Sequence, residues 1–211
     1  MNRYFTLSAE QQILLLRQTS AKVGLPEQAI EKDLWVTVIL QVLFSLPYAD
    51  KLLFKGGTTL AKAGLIDRFS EDIDLAIDRS MFGYEGDLTK KQLKTLRKKS
   101  SLFVRDELAL DLRRALEENG LGALCEVEAE PAGEGDKTYP EPRKIHVRYH
   151  SVFGSPLPYT FSDRAELSKS LIINQLGEII CRCRILNTLI VNKMRDEWFK
   201  HGSNHPVITS T

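Results

Sequence analysis

Cysteine and histidine are scarce in this chain, with three of the first and four of the second among 211 residues. An odd cysteine count does not make a disulfide framework. Cys181 and Cys183 stand two apart, which is not the spacing of a zinc knuckle, so no structural zinc is expected. Charge of one sign is lacking too. The chain has 29 Lys plus Arg against 28 Asp plus Glu, so bulk charge alone selects neither nucleic acid nor an anionic surface. Long apolar runs are absent, and Met1–Leu7 has no secretory apolar stretch. No membrane partner is expected, and a reducing cytoplasm is the expected location. What remains, 43% hydrophobic and 27% charged residues, is the composition of a chain that buries an ordinary core.

The pattern along the chain predicts an α/β (α+β) protein, with a mixed β-sheet and helices at both ends. Ser8 and Gln11 form a capping box ahead of a helix from Ala9 to about Lys22, with Ile13, Leu14 and Leu16 towards one side. Gly24 stops it, and Pro26 opens a second helix running from about Glu27 to Phe44. Leu52–Phe54 reads as a strand entering a glycine turn, and Ile73–Ile77 as a second strand. The stretch from Lys90 to Asn119 reads as helical with a break near Ser100–Ser101. Ala123–Glu130 and Ile145–Val152 alternate as a strand pair, joined by a loop rich in Gly and Pro. The expected division is a core with N-terminal helices over residues 1–160 and a C-terminal helical appendage, reduced or truncated, over 161–211.

Chemistry concentrates between Lys55 and Asp74. Gly56 and Gly57 permit a sharp turn and a close backbone approach to a ligand. A helix starting behind them at Thr58 would turn unpaired N–H groups, and the Thr58 hydroxyl, towards a phosphate. Asp72 and Asp74 share one parity of a strand, while Ile73, Leu75 and Ile77 share the other. Both carboxylates therefore leave the same face, an arrangement that holds Mg²⁺ or Mn²⁺ against a triphosphate. A glycine turn or a DxD strand alone is ordinary surface; the conjunction is what points to a nucleotidyltransferase.

The segment resembles the first motif of the AbiEii/AbiGii toxin family of nucleotidyltransferases, in the DNA-polymerase-beta-like superfamily. The form K-G-G-T-x-L-x-K is met by Lys55, Gly56, Gly57, Thr58, Leu60 and Lys62. The form R-x-S-x-D-x-D is met by Arg68, Ser70, Asp72 and Asp74. Glu31-Lys32-Asp33-Leu34-Trp35 is similar to the family's N-terminal K-D-aromatic helix. The resemblance implies a nucleotidyltransferase-like fold for the core over residues 1–160 and transfer of an NMP from an NTP to an acceptor, tRNA or another RNA. It also implies a cognate antitoxin, or a role in phage defence. Asp72 and Asp74 would be catalytic and hold the metal. Lys55, Gly56, Gly57, Thr58, Lys62, Arg68 and Ser70 would serve the nucleotide.

The sequence departs from the family in two places. Where a third acid is expected in K-[IL]-E, the match is Lys144-Ile145-His146; Glu126 and Glu128 are the substitutes offered by the neighbouring strand, with Asp106 and Asp111 poorer ones. In the family's C-terminal helical pattern E-[IL]-[IL]-x-x-K, the matching run Glu178-Ile179-Ile180-Cys181-Arg182-Cys183 has Cys183 at the lysine. Arg182 or Arg184 would then reach the triphosphate in its place. These departures keep an alternative open, a catalytically degenerate module that binds nucleotide, RNA or a protein partner. Lys90, Lys91, Lys94, Arg97, Lys98 and Lys99 make a basic helical stretch. Lys94, Arg97 and Lys98 become RNA backbone contacts if that stretch faces the Asp72/Asp74 cleft.

Overall fold

The computed structural model describes residues 3–56, 72–131, 143–154 and 176–186. Helix α1 (Ala9–Val23) opens on the expected capping box: the Gln11 N–H donates to Ser8 Oγ and the Ser8 N–H to the Gln11 side chain. Gly24 ends it in the left-handed conformation. Only Leu16 of this helix is buried, and Leu14 and Leu15 are exposed, so α1 lies on the outside of the molecule. Helix α2 (Glu27–Leu43) is the opposite case. Trp35, Val36, Val38, Ile39, Leu40, Val42 and Leu43 are all buried, on several sides of the helix. A helix apolar around most of its girth must sit inside the fold.

Among the described residues the sheet has five strands: β1 (Leu52–Lys55), β2 (Ile73–Asp78), β3 (Cys125–Ala129), β4 (Arg143–His150) and β5 (Leu176–Leu186). Their order is β1-β2-β5-β4-β3. Only β2 and β5 run parallel; the other three ladders are antiparallel. The β3/β4 pair is the one the alternation predicts. One face is apolar: Ile73, Leu75, Ile77, Cys125, Val127, Ile145, Val147, Tyr149, Ile179 and Cys181 are buried in a common core with α2. Helix α3 (Lys90–Phe103), a π-helical turn (Val104–Leu108) and α4 (Ala109–Glu118) join it there through Phe103, Val104, Leu108, Leu112 and Leu116. The expected break at Ser100–Ser101 falls instead at Val104. Both serines are buried inside α3, and the wider turn brings Val104 and Leu108 together into the core.

One expectation is overturned. Leu176–Leu186, read as part of a C-terminal helix, is a strand between β2 and β4. Residues 176–186 therefore complete the core sheet and do not belong to a helical appendage. The rest of 161–211 lies outside the described residues.

The Glu31–Trp35 stretch of α2 ties the helical layer to the sheet. Trp35 stacks on Tyr149 of β4, with ring centroids 4.9 Å apart, and Phe5 packs on Trp35 at 4.8 Å. Glu31, only 2% exposed, accepts from the Ser151 hydroxyl at 2.6 Å and from the Val152 N–H at 2.8 Å. Burial pushes its carboxyl above the usual range, while these two hydrogen bonds pull it back. Removing the acceptor leaves two donors stranded. Glu31→Ala should therefore lower unfolding free energy by about 1–3 kcal/mol in urea titrations. Glu31→Gln retains an acceptor without ionising. A carboxyl raised in the folded state contributes stability below its unfolded pKa that is lost as pH rises through the folded value. The Gln variant should therefore gain on the wild type as pH rises above the ordinary carboxylate range, and the gain should vanish in acid. A difference independent of pH would show that Glu31 does not titrate on unfolding.

Candidate active site

Strand β2 begins at the edge of the glycine turn and carries its carboxylates on the face away from the core. Ile73, Leu75 and Ile77 are fully buried on the apolar face, so Asp74, and Asp72 just ahead of the strand, are turned to the other side. Both are half-buried. Strand β1 delivers Lys55 directly alongside Asp74 in the antiparallel ladder. Gly56 follows with φ 87°, a left-handed conformation that L side chains rarely adopt. A Cβ at Gly56 would overlap the Asp74 carboxylate, and would stand 3.0 Å from Asp74 Cβ and 3.1 Å from Cγ. The glycine thus makes room for Asp74.

The strand on the other side of β2 sets the electrostatics. Arg182 is the register partner of Asp74, and Lys144 of β4 is the register partner of Arg182. Across four strands the row reads Lys55, Asp74, Arg182, Lys144. The Arg182 guanidinium reaches Asp72, with Nη1 2.5 Å from Oδ2 and the two side chains 33% and 34% exposed. Further out, Lys144 Nζ meets Glu130 at 3.2 Å and Arg148 Nη1 meets Glu128 at 2.9 Å. These outer pairs are open to water and contribute little stability, about 0–1 kcal/mol each. They do, however, balance the charge of the polar face.

The proposed third acids do not join this cluster. Glu126 and Glu128 lie on β3, which is separated from β2 by β5 and β4. Three strand spacings amount to about 14 Å, too far to share an ion with Asp72 and Asp74. Glu128 is also engaged by Arg148. Asp111 accepts from the Tyr48 hydroxyl at 3.0 Å and Asp106 pairs with Arg105, both in the helical layer on the apolar side. His146 is on the carboxylate side, two strands from β2, with Ile180 as its neighbour on β5. Ile180 is the position level with Asp72, since Ile73 pairs with Cys181. His146 and His150 stand four apart, but on a strand that spacing separates them by about 13 Å.

The basic helix α3 is exposed at Lys90, Lys91, Lys94, Arg97, Lys98 and Lys99. Its C-terminal Phe103 packs on Tyr48 and Phe82, on the apolar side of the sheet, and Lys99 Nζ lies 5.2 Å from the Tyr84 ring centroid. Lys94, Arg97 and Lys98 thus belong to the layer across the sheet from the carboxylates. Gly57, Thr58, Lys62, Arg68 and Ser70 lie outside the described residues. Arg184 is described by register alone, alongside Ala76. A helix over 176–186 would not place Arg182 beside Asp74, whereas the strand does. Its signal was present in the alternation Ile179, Cys181, Cys183, Ile185 against Ile180, Arg182, Arg184.

Two carboxylates on one face, with glycine space behind one of them, suit a hard divalent cation with oxygen ligands. Among the described residues no three His, Cys, Asp or Glu side chains gather as a metal-binding group, and no helix is long and apolar enough to cross a membrane. Neither a curated protein nor a solved structure matches the chain. The family described as nucleotidyl transferase AbiEii toxin, type IV TA system, matches residues 39–166, more than half of the sequence. That span includes the glycine turn, both carboxylates and strands β1 to β4. The chain belongs to the AbiEii nucleotidyltransferase toxin family.

Proposed function

We propose that this protein transfers an NMP from an NTP to an acceptor hydroxyl of RNA, tRNA being the leading candidate, as the toxin of a toxin–antitoxin pair. The observation that carries this reading is the placement of Asp72 and Asp74 on one sheet face beside the Gly56 turn. Asp72 and Asp74 would hold Mg²⁺ or Mn²⁺, which when bound supplies charge neutralisation for the triphosphate. Lys55, alongside Asp74, adds a fixed positive charge where phosphate oxygens would lie. Gly56, Gly57 and Thr58 would cradle the β- and γ-phosphates, with Lys62, Arg68 and Ser70 completing the corner and Arg184 adding charge from β5. The chain's contribution is then positioning: an in-line approach of the acceptor hydroxyl to the α-phosphorus, with charge complementarity already built in.

A second reading has its own observation. Asp72 is engaged by Arg182, and the register position level with it on β5 is Ile180, not an acid. A chain so arranged could bind nucleotide, RNA or its antitoxin without turnover. An Mg²⁺- and Mn²⁺-dependent screen decides between them, using four α-³²P NTPs with total RNA, the protein itself and other proteins as acceptors. Label in RNA is the expected result. Tight NTP binding without label in any acceptor would leave only the binding module.

A further inference from the structure

Among the described residues, the Arg182–Asp72 pair engages a candidate metal ligand, while the Lys144–Glu130 and Arg148–Glu128 pairs do not. Lys144 and Arg148 are taken up by glutamates of the edge strand β3. Arg182 sits on Asp72 at 2.5 Å, while its register partner is Asp74. We propose that Arg182 gates the metal site: without nucleotide its guanidinium holds the Asp72 oxygen that a divalent cation needs, and arriving triphosphate draws it away. This rests on the metal-site reading above.

The physical case has three parts. A divalent ion needs its carboxylate oxygens at close range and in set directions, and a guanidinium already at hydrogen-bond distance competes for the same oxygen. The pair is one-third exposed on both sides, so it is exchangeable and open to an incoming anion. Phosphate, for its part, offers guanidinium a bidentate partner of higher charge. Arg182 is on a strand flanked by β2 and β4, so its Cα is fixed and only its flexible side chain has to move. Metal and nucleotide would then each strengthen the binding of the other by the same factor.

The test measures Mn²⁺ affinity of the full chain by electron paramagnetic resonance, with and without a non-hydrolysable NTP. Without nucleotide, Arg182→Gln should bind Mn²⁺ about fivefold or more tightly than the wild type, and the strengthening produced by the NTP analogue should shrink. Lys144→Gln removes an equal charge one strand further on, from a side chain paired with Glu130. It should change Mn²⁺ affinity by less than about twofold, since exposed charges at that distance are largely screened. Thermal melts of each variant confirm folding. Unchanged affinity in a folded Arg182→Gln, or an equal gain in Lys144→Gln, would overturn the gate while leaving the metal site in place. Mn²⁺ binding that survives Asp74→Asn undiminished would instead remove the metal-site reading, and the gate with it.

Discussion

Asp74→Asn should lower nucleotidyl transfer by about 10³-fold, equivalent to about 4 kcal/mol of transition-state stabilisation. Asparagine has nearly the same shape, and the side chain stands on the half-buried polar face, so the β2 core contacts of Ile73, Leu75 and Ile77 are untouched. On the proposed reading, what is lost is one of two anionic oxygen ligands and the charge it would place beside the α-phosphate. Asp72→Asn should act in the same direction. Glu128→Gln is the contrast: it removes a carboxylate paired with Arg148 on the far edge strand and should change the rate by less than about twofold, since its effect is confined to an exposed ion pair. Incorporation of α-³²P nucleotide at matched fractions of folded protein is the measurement. A folded Asp74→Asn protein with the wild-type rate would reduce the DxD pair to ordinary surface. A large loss in Glu128→Gln would mean that the reacting groups do not assemble around β2.

Gly56→Ala should be the second most damaging change, and in two separable ways. At φ 87° an L-residue carries strain of about 1–2 kcal/mol. Its Cβ would also overlap the Asp74 carboxylate, which has to move. Gly24→Ala separates the two effects: its φ is 71°, and nothing lies within 4 Å of an added Cβ. It should lose comparable stability and keep full transfer. Gly56→Ala should lose that stability and, on the proposed reading of Asp74 as a metal ligand, about 100-fold in transfer per folded molecule, the cost of displacing a reacting-site group by about 1 Å. Urea titration and Mn²⁺ affinity on the two variants separate strain from displacement. Equal Mn²⁺ affinity in both would show that Gly56 serves the turn alone.

Local signals are legible in the sequence because each depends on neighbours along the chain. The Ser8/Gln11 box, the paired faces of Ile73–Ile77 and the β3/β4 alternation each depend on residues within one element or one hairpin. The shared face of Asp72 and Asp74 belongs to that class. Strand order does not: β5 enters the sheet by a parallel ladder with β2 across a separation of 108 residues, from Ile73 to Cys181. No periodicity carries such a pairing. Beneath the family's helical pattern at Glu178–Cys183 the sequence also carries the twofold alternation of a strand. The third-acid candidates failed for the same reason. Glu126 and Glu128 point to the correct face, but distance along the sheet depends on strand order, and that order places two strands between them and β2.

The position of β5 has a consequence for synthesis. During translation β1 and β2 emerge first and β3 and β4 next, and among the described residues these two ladders are joined only through β5. Two-stranded pieces are marginal in water, and each exposes an unpaired edge on the side where β5 will later lie. The central seat is filled by the last strand in the sequence order of the sheet. Ribosomes add about 5–20 residues per second, so the interval between β4 and β5 leaves both half-sheets open for seconds. Closure of the sheet, and with it the arrival of Arg182 beside the aspartates, is therefore a late and highly non-local step. A nascent toxin of this build passes through a period without its assembled centre, and in that period its open strand edges are what chaperones, proteases and aggregation partners meet.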